Sequence, residues 1–227
     1  SECFFILFFK LYDWTFLFEN FKKWYNKTVL VKEANIGGIS MSLIGKKIEE
    51  FDVPAYYDGD IIRVSNKDLE GKWSVFFFYP GDFTFVCPTE LEDLALSYDK
   101  FKAIDCEIYS VSTDSEFVHK AWWDASETIR KIQYPMISDR ALALSEQFGV
   151  LIEGEGQALR GTFVVNPQGE IVLYEVNANG IGRNAKELLR KVQAAQFVAK
   201  HGDKVCPARW EPGDETLTPG LDLVGKI

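Results

Sequence analysis

The sequence predicts an α/β fold, a central sheet with helices packed against it. Three observations lead there. From Met41 onward the chain alternates strand-like and helix-like patterns. Residues 73–79 (Trp-Ser-Val-Phe-Phe-Phe-Tyr) form an apolar and aromatic run of the kind a central, buried strand carries. Hydrophobic residues make up 47% of the 227 residues and aromatics 15%, enough to fill a substantial core.

Residues 1–40 differ in composition from the rest of the chain. They open Ser-Glu-Cys-Phe-Phe-Ile-Leu-Phe-Phe-Lys and are crowded with Phe, Trp, Tyr, Lys and Asn. Lys10, Asp13 and Glu19 interrupt the apolar run before the roughly 18–20 residues that a membrane span needs. The basic opening of a signal peptide is missing too. Phe, Lys, Asn, Ile and Tyr have AT-rich codons, and Gly37-Gly38 can be encoded by a ribosome-binding sequence just ahead of Met41. The expectation is a mistranslated, non-native extension over 1–40; the alternative is a real tail, disordered or touching a membrane. Mass spectrometry of the native N-terminus separates the two, and Cys3 carries no functional weight.

From Met41 no linker divides the chain, so one domain is expected over 41–200, followed by an irregular, Pro- and Gly-rich arm over 201–227. Pro80-Gly81-Asp82 breaks the central strand. A helix begins near Cys87-Pro88, where proline suits the first turn and Glu90 complements the helix dipole. Leu91, Leu94, Ala95, Tyr98 and Phe101 recur at helical spacing and give that helix an inward face. Residues 106–112 read as the next strand, with Cys106 a buried small hydrophobe. Thr113-x-x-Glu116 is a capping-box pattern that opens another helix, with His119 partly exposed on it and Trp122 and Trp123 as packing residues. Glu153-Gly154-Glu155-Gly156 reads as a solvated loop. Pro167-Gln168-Gly169 predicts a hairpin between 160–166 and 170–176. The last long helix covers 184–200, with Ala185, Leu188, Leu189, Val192, Ala195 and Ala199 on one face. His201 precedes the arm, which Trp210 anchors.

The formal net charge of −9 argues against a nucleic-acid partner, since phosphate binding needs a basic face. The four cysteines, Cys3, Cys87, Cys106 and Cys206, form no C-x-x-C pair and show no zinc-ligand spacing. Few, scattered cysteines in a large acidic chain suggest a reducing, cytoplasmic setting in which an informative cysteine is reactive. Two unclustered histidines speak against a metal. No phosphate loop or dinucleotide fingerprint is present, so no bound cofactor is expected.

Cys87 follows a strand and loop and precedes a proline-initiated helix. A helix N-terminus favours a thiolate, which is the nucleophilic form. If the loop from Pro80 folds as a first helical turn, the Thr84 hydroxyl shares a face with the Cys87 sulfur. On these local features alone a buried, inert cysteine is the commoner reading of such a junction.

The stretch Phe-Tyr-Pro-Gly-Asp-Phe-Thr-Phe-Val-Cys-Pro-Thr-Glu at 78–90 resembles the active-site signature of the peroxiredoxins, Pro-x-x-x-Thr/Ser-x-x-Cys, filled here by Pro80, Thr84 and Cys87. The family's arginine matches Arg160 in Ala-Leu-Arg-Gly-Thr-Phe, and its resolving cysteine matches Cys206 in Val-Cys-Pro-Ala-Arg-Trp. The similarity runs from about Met41 to Ile227, and the closing Leu-Asp-Leu-Val-Gly-Lys-Ile resembles the alkyl hydroperoxide reductase C branch of the two-cysteine peroxiredoxins. The resemblance implies a thioredoxin-like fold with a central mixed sheet, flanking helices and an irregular C-terminal arm. It also implies a peroxidase in which Arg160 and Thr84 hold a hydroperoxide against Cys87, Pro80 shields the site and Glu90 orients Arg160. Trp122 would line the surroundings. Cys206 of a partner chain would close a disulfide with Cys87, in an antiparallel homodimer that assembles into a decamer. A flavoprotein disulfide reductase, or alternatively thioredoxin, would regenerate the thiols.

Two departures bear on overoxidation: residues 132–140 lack the Gly-Gly-Leu-Gly loop of easily overoxidised relatives, and no Tyr-Phe stands at the C-terminal end. The expectation is an enzyme robust to peroxide. Two other functions stand beside this reading. One is a chaperone-like holdase oligomer; the other is a disulfide oxidoreductase, for which the C-x-x-C is absent.

Overall fold

The computed structural model describes residues 42–226, so the expectations for residues 1–40 and Cys3 lie outside the described residues. Seven strands build one mixed sheet: β1 (Asp52–Tyr57), β2 (Asp60–Ser65), β3 (Trp73–Phe78), β4 (Cys106–Ser112), β5 (Met136–Ser138), β8 (Arg160–Val165) and β9 (Ile171–Asn177). Their order across the sheet is β2-β1-β5-β4-β3-β8-β9. A short pair, β6 (Leu151–Ile152) and β7 (Gln157–Ala158), forms a separate ribbon. The helices are α1 (Asn66–Leu69), α2 (Cys87–Lys102), α3 (Glu116–Ala125), α4 (Ala143–Gln147) and α5 (Ala185–Lys200).

β3 lies inside the sheet, parallel to β4 and antiparallel to β8. Its alternate residues face opposite sides. Val75 and Phe77 join the core beneath α2 and α5. Phe76 and Phe78 enter a second core, where Phe148 packs on both with centroids 5.3 and 5.1 Å away, and Phe163 packs on Phe78 at 5.7 Å and on Phe148 at 4.7 Å. Burial on both faces explains why this strand shows an apolar run rather than alternation.

The hairpin from β8 to β9 forms at Pro167-Gln168-Gly169 as predicted. Gly169 supplies the positive φ of 79° that the turn requires, and Asn166 Oδ1 accepts from the Gln168 and Glu170 amides. Trp210 is buried and packs on Phe197 of α5, while its carbonyl accepts from Arg190, which ties the arm down.

Three expectations need correction, and one condition is not met. Thr113 does not cap α3: its hydroxyl donates to the Gly156 carbonyl, and Ser115 accepts from the Val118 amide at the N-cap position. His119 is fully buried rather than partly exposed, because both ring nitrogens find oxygen partners inside. Ala199 is exposed, because the buried residues of α5 end at Val192 and Ala199 lines the open groove beside Cys206. The condition that the loop from Pro80 folds as a first helical turn is not met: 80–86 is a loop, and the helix starts at Cys87, where the sequence placed it.

Candidate active site

The site forms at the C-terminal ends of the parallel strands β3 and β4, where the chain leaves the sheet and turns into α2. Cys87 is the first residue of α2 and has no solvent exposure. Val86 before it has no side-chain oxygen to cap the helix, so the first-turn amides keep their positive end toward the cysteine.

Arg160, the first residue of β8, reaches across the sheet to this point. Its Nη1 stands 3.3 Å from Cys87 Sγ and 2.6 Å from Glu90 Oε2, and its Nε donates to the Asn179 carbonyl at 2.9 Å. Glu90 lies one turn beyond Cys87 on α2 and is 3% exposed. Burial pushes its carboxyl up, but hydrogen bonds and charge from Arg183, with charge from Arg160, outweigh that and hold it below the usual carboxylate range. The expected pairing of Glu90 with Arg160 is present in the geometry.

Pro80 is buried at the foot of the loop. Thr84 stands half-buried, and its hydroxyl donates to the Gly81 carbonyl at 2.8 Å, which leaves its lone pairs free to accept. Because 80–86 is a loop, Thr84 does not reach Cys87's surroundings by a helical turn. The loop is instead held in place from below. Tyr79 donates to Asp82 Oδ1 at 2.7 Å, His119 Nδ1 lies 2.7 Å from Asp82 Oδ2, and the Asp82 amide donates to Asp114. Trp122 packs on Tyr79 and Phe83 from α3, so it does line the surroundings of the loop.

Cys206 does not touch Cys87 within this chain; its thiol is half-buried on α5, with Sγ 3.9 Å from the Ala194 carbonyl. It lines a groove of about 680 Å³ with Val172, Leu173, Ala195 and Val198. Partial burial pushes its thiol up, with Arg190 opposing. Cys106 is 1% exposed, and burial raises its thiol strongly, in line with a packing role.

Sequence reading missed Arg183. It precedes α5 in a loop and donates three times to Glu90, through its amide, Nε and Nη2. A charged residue in a Gly-rich stretch looks solvated from sequence, and nothing local signals its burial. The Asp82 and His119 pair was missed as well, because its members stand 37 positions apart. Among the described residues, no group of three or more His, Cys, Asp or Glu is placed to hold a metal ion. No helix among them is long and apolar enough to cross a membrane.

Comparison with known proteins bears on the chain as a whole. The family model described as AhpC/TSA family matches residues 44–174, and that described as the C-terminal domain of 1-Cys peroxiredoxin matches residues 194–223. Alkyl hydroperoxide reductase C of Bacillus subtilis is 57% identical over 187 residues, which is 82% of this chain and 100% of that protein. The Escherichia coli K12 protein of the same name is 56% identical with the same coverage. The crystal structure of Enterococcus faecalis AhpC superposes with a TM-score of 0.72 at 57% identity, covering 74% of this chain and all of that one. The reduced 2-Cys peroxiredoxin of Plasmodium vivax gives 0.74 at 30% identity, covering 80% and 95%.

Proposed function

This chain belongs to the AhpC/TSA family, and from that premise we propose that Cys87 is the sulfur that attacks the peroxide and Cys206 the thiol that resolves it. Membership makes the chain a peroxiredoxin, a thiol peroxidase on a thioredoxin-like fold. The observation that carries the assignment to Cys87 is the Arg160 guanidinium, 3.3 Å from its sulfur in a fully buried setting. The thiols of Cys106 and Cys206 face backbone carbonyls instead, those of Glu107 and Ala194.

The chemistry follows from the residues. The Cys87 thiolate attacks the nearer oxygen of a hydroperoxide, in line with the O–O bond. An S–O bond forms, the O–O bond breaks, and the leaving alkoxide or hydroxide takes a proton to depart as alcohol or water. Arg160 and the first-turn amides of α2 meet the charge that develops on the leaving oxygen. The Thr84 hydroxyl accepts from the hydroperoxide O–H, and Pro80 limits water at the sulfur. Cys87 is left as a sulfenic acid. The Cys206 thiol of a second chain then attacks that sulfur, forming the disulfide and releasing water. A dithiol reductant returns both thiols by exchange.

The relatives' name, alkyl hydroperoxide reductase C, supports organic hydroperoxides beside hydrogen peroxide as substrates. It also supports a flavoprotein disulfide reductase fed by NADH as the electron source, ahead of thioredoxin. Phe83, Phe85 and Phe117 are 57%, 93% and 63% exposed, an apolar surface beside the active-site loop that supports assembly of homodimers into a decamer. We keep a domain over 41–200 and an arm over 201–227; the AhpC/TSA match over 44–174 lies within the first, and the second match, over 194–223, begins within α5 and runs into the arm. We place the protein in the cytoplasm. The comparisons name enzymes and give no support to the holdase alternative.

Stopped-flow consumption of hydrogen peroxide by the reduced protein tests the assignment. Cys87→Ser should abolish fast turnover, and Cys206→Ser should allow one turnover and accumulate a trappable sulfenic acid. Unchanged consumption in Cys87→Ser would remove Cys87 from its role. A titration of inactivation against peroxide tests the expected robustness, which loss of activity at micromolar peroxide would contradict.

A further inference from the structure

We propose that Arg190 is a positioning residue for the resolving step. By holding the Trp210 carbonyl it fixes the loop that carries Cys206, and the thiol waits in place for the oxidised sulfur of a second chain. The inference rests on Cys206 being the thiol that resolves the Cys87 sulfenic acid.

Arg190 and Ala194 stand four residues apart on α5 and so share a face of the helix. Cys206 Sγ rests 3.9 Å from the Ala194 carbonyl, and Arg190 Nη1 donates to the Trp210 carbonyl at 3.0 Å. The loop from Cys206 to Trp210 is therefore docked on that face at both of its ends. The guanidinium is aimed rather than free. Its Nε and Nη2 donate to the two oxygens of Glu187 at 2.7 and 2.8 Å, which leaves Nη1 for the arm. Ahead of Cys206, the Val205 and Leu217 backbones exchange hydrogen bonds at 2.9 and 3.1 Å. Inside the loop the Trp210 amide donates to the Pro207 carbonyl, and Arg209 takes a φ of 63°. A non-glycine residue in that left-handed region is held there by its surroundings. The Trp210 ring keeps its own anchors, the Phe197 ring at 5.0 Å and the Asp214 carbonyl at 3.2 Å from Nε1. Without Arg190 the ring stays docked, and the backbone between ring and cysteine loosens.

The consequence falls on one step. In resolution the Cys206 sulfur attacks the Cys87 sulfenic acid, an S–S bond forms, and the hydroxyl leaves as water. The rate of that step follows how often the thiol is in position. A second hydroperoxide competes for the same sulfenic acid; it oxidises the sulfur to sulfinic acid and is itself reduced to alcohol or water. A loosened loop slows resolution and leaves the competing oxidation untouched, so inactivation moves to lower peroxide. Attack of Cys87 on the first peroxide draws on Arg160 and the start of α2, and keeps its rate. Arg190 also opposes the upward push that partial burial exerts on the Cys206 thiol, so its charge and its grip act in the same direction. Glu187 separates the two: losing it keeps the Arg190 charge and frees the fork.

The test uses the full-length protein and reads the two steps apart. Stopped-flow consumption of one equivalent of hydrogen peroxide gives the first, and rapid quenching onto non-reducing gels gives the second as covalent dimer. Arg190→Met should slow dimer formation about fivefold, the worth of roughly one hydrogen bond. It should lower the peroxide concentration that inactivates half of the protein by about the same factor, with the first step at the parent rate. Glu187→Ala, at an exposed position, should also slow dimer formation, by about twofold to threefold, and it carries the test if Arg190→Met fails to fold. Dimer formation at the parent rate in Arg190→Met, or both steps slowed alike, would overturn the proposal. So would Glu187→Ala resolving as fast as the parent or faster, the result expected if Arg190 acted by charge alone. Cys206→Ser in the same assays keeps the failures apart. If covalent dimer still forms there, the assignment of Cys206 fails. If it vanishes while the Arg190 and Glu187 variants behave as the parent, only the role of Arg190 fails.

Discussion

Arg160 Nη1 stands between a carboxylate at 2.6 Å and a thiol sulfur at 3.3 Å, so one nitrogen bridges Glu90 and Cys87, both carried by α2. Arg160→Met should leave Glu90 paired with Arg183 and the fold intact, while the stopped-flow rate with peroxide falls by about 10²–10³, the usual cost of losing a donor to developing oxyanion charge. A buried titratable pair lies under the loop. His119 has its Nδ1 against Asp82 and its Nε2 against the Ile137 carbonyl, two oxygen acceptors that together favour a ring protonated at both nitrogens. Burial alone would lower the His119 titration; the hydrogen bond and charge of Asp82 outweigh it and raise it. Asp82 is raised too, by burial first. Both shifts mean that the fold binds these protons more tightly than the unfolded chain. The stability they contribute is complete below the unfolded-state values, about 6.5 for histidine, and is lost as pH rises through the folded-state value of His119. Thermal unfolding followed from about pH 6 to about pH 9 should therefore show wild-type protein losing stability on the alkaline side, with a flatter profile in His119→Gln. Equal slopes in the two proteins would exclude the linkage.

At the scale of elements, α3 offers a direct comparison between a sequence pattern and the residue that performs the task. Thr113 and Glu116 have capping-box spacing, but the hydroxyl that accepts from the α3 backbone is that of Ser115. Ser115→Ala should lower stability by about 1 kcal/mol in denaturant melts, and Thr113→Ala by clearly less. The reverse order would restore Thr113 as the cap. What sequence shows well is what local chemistry decides. Strand β3, the start of α2 at Cys87-Pro88, the β8 hairpin at Gly169 and the face of α2 all follow from periodicity, proline and glycine. The β1 to β2 hairpin has the same kind of local signal: Asp58 and Gly59 both adopt positive φ, as an Asp-Gly turn demands. Arg183 and His119 were not legible. Each takes its meaning from partners brought by a different element, Glu90 on α2 for one and Asp82 after β3 for the other. Arg160 and Cys206 became candidates only through resemblance, since nothing local distinguishes an arginine at the start of a strand or a cysteine in an irregular arm.

At the scale of the molecule, the two thiols to which the peroxidase cycle is assigned occupy different surroundings of one chain. Cys87 is sealed at the start of α2 against Arg160, whereas Cys206 rests over Ala194 near the far end of α5. Neither sulfur has the other among its contacts, and both are free. A disulfide needs Cα atoms within about 7 Å and is sensitive to geometry, so joining these two within one chain would require the arm to leave α5. That arm is held by Trp210 on Phe197, by the Arg190 hydrogen bond to the Trp210 carbonyl and by the Val205 to Leu217 bridge. A second chain related by a twofold axis can present its Cys206 without that cost. Mixing chains tests this directly. Cys87→Ser and Cys206→Ser proteins are each unable to turn over as disulfide-forming enzymes. A heterodimer of the two keeps one complete pair, Cys87 from one chain and Cys206 from the other. After dissociation and random reassembly, about half of the dimers should be mixed, each with one working site of two, so about a quarter of wild-type turnover should return. A covalent dimer should appear on non-reducing gels in step with that activity. Within-chain resolution predicts neither, because no chain in the mixture carries both thiols.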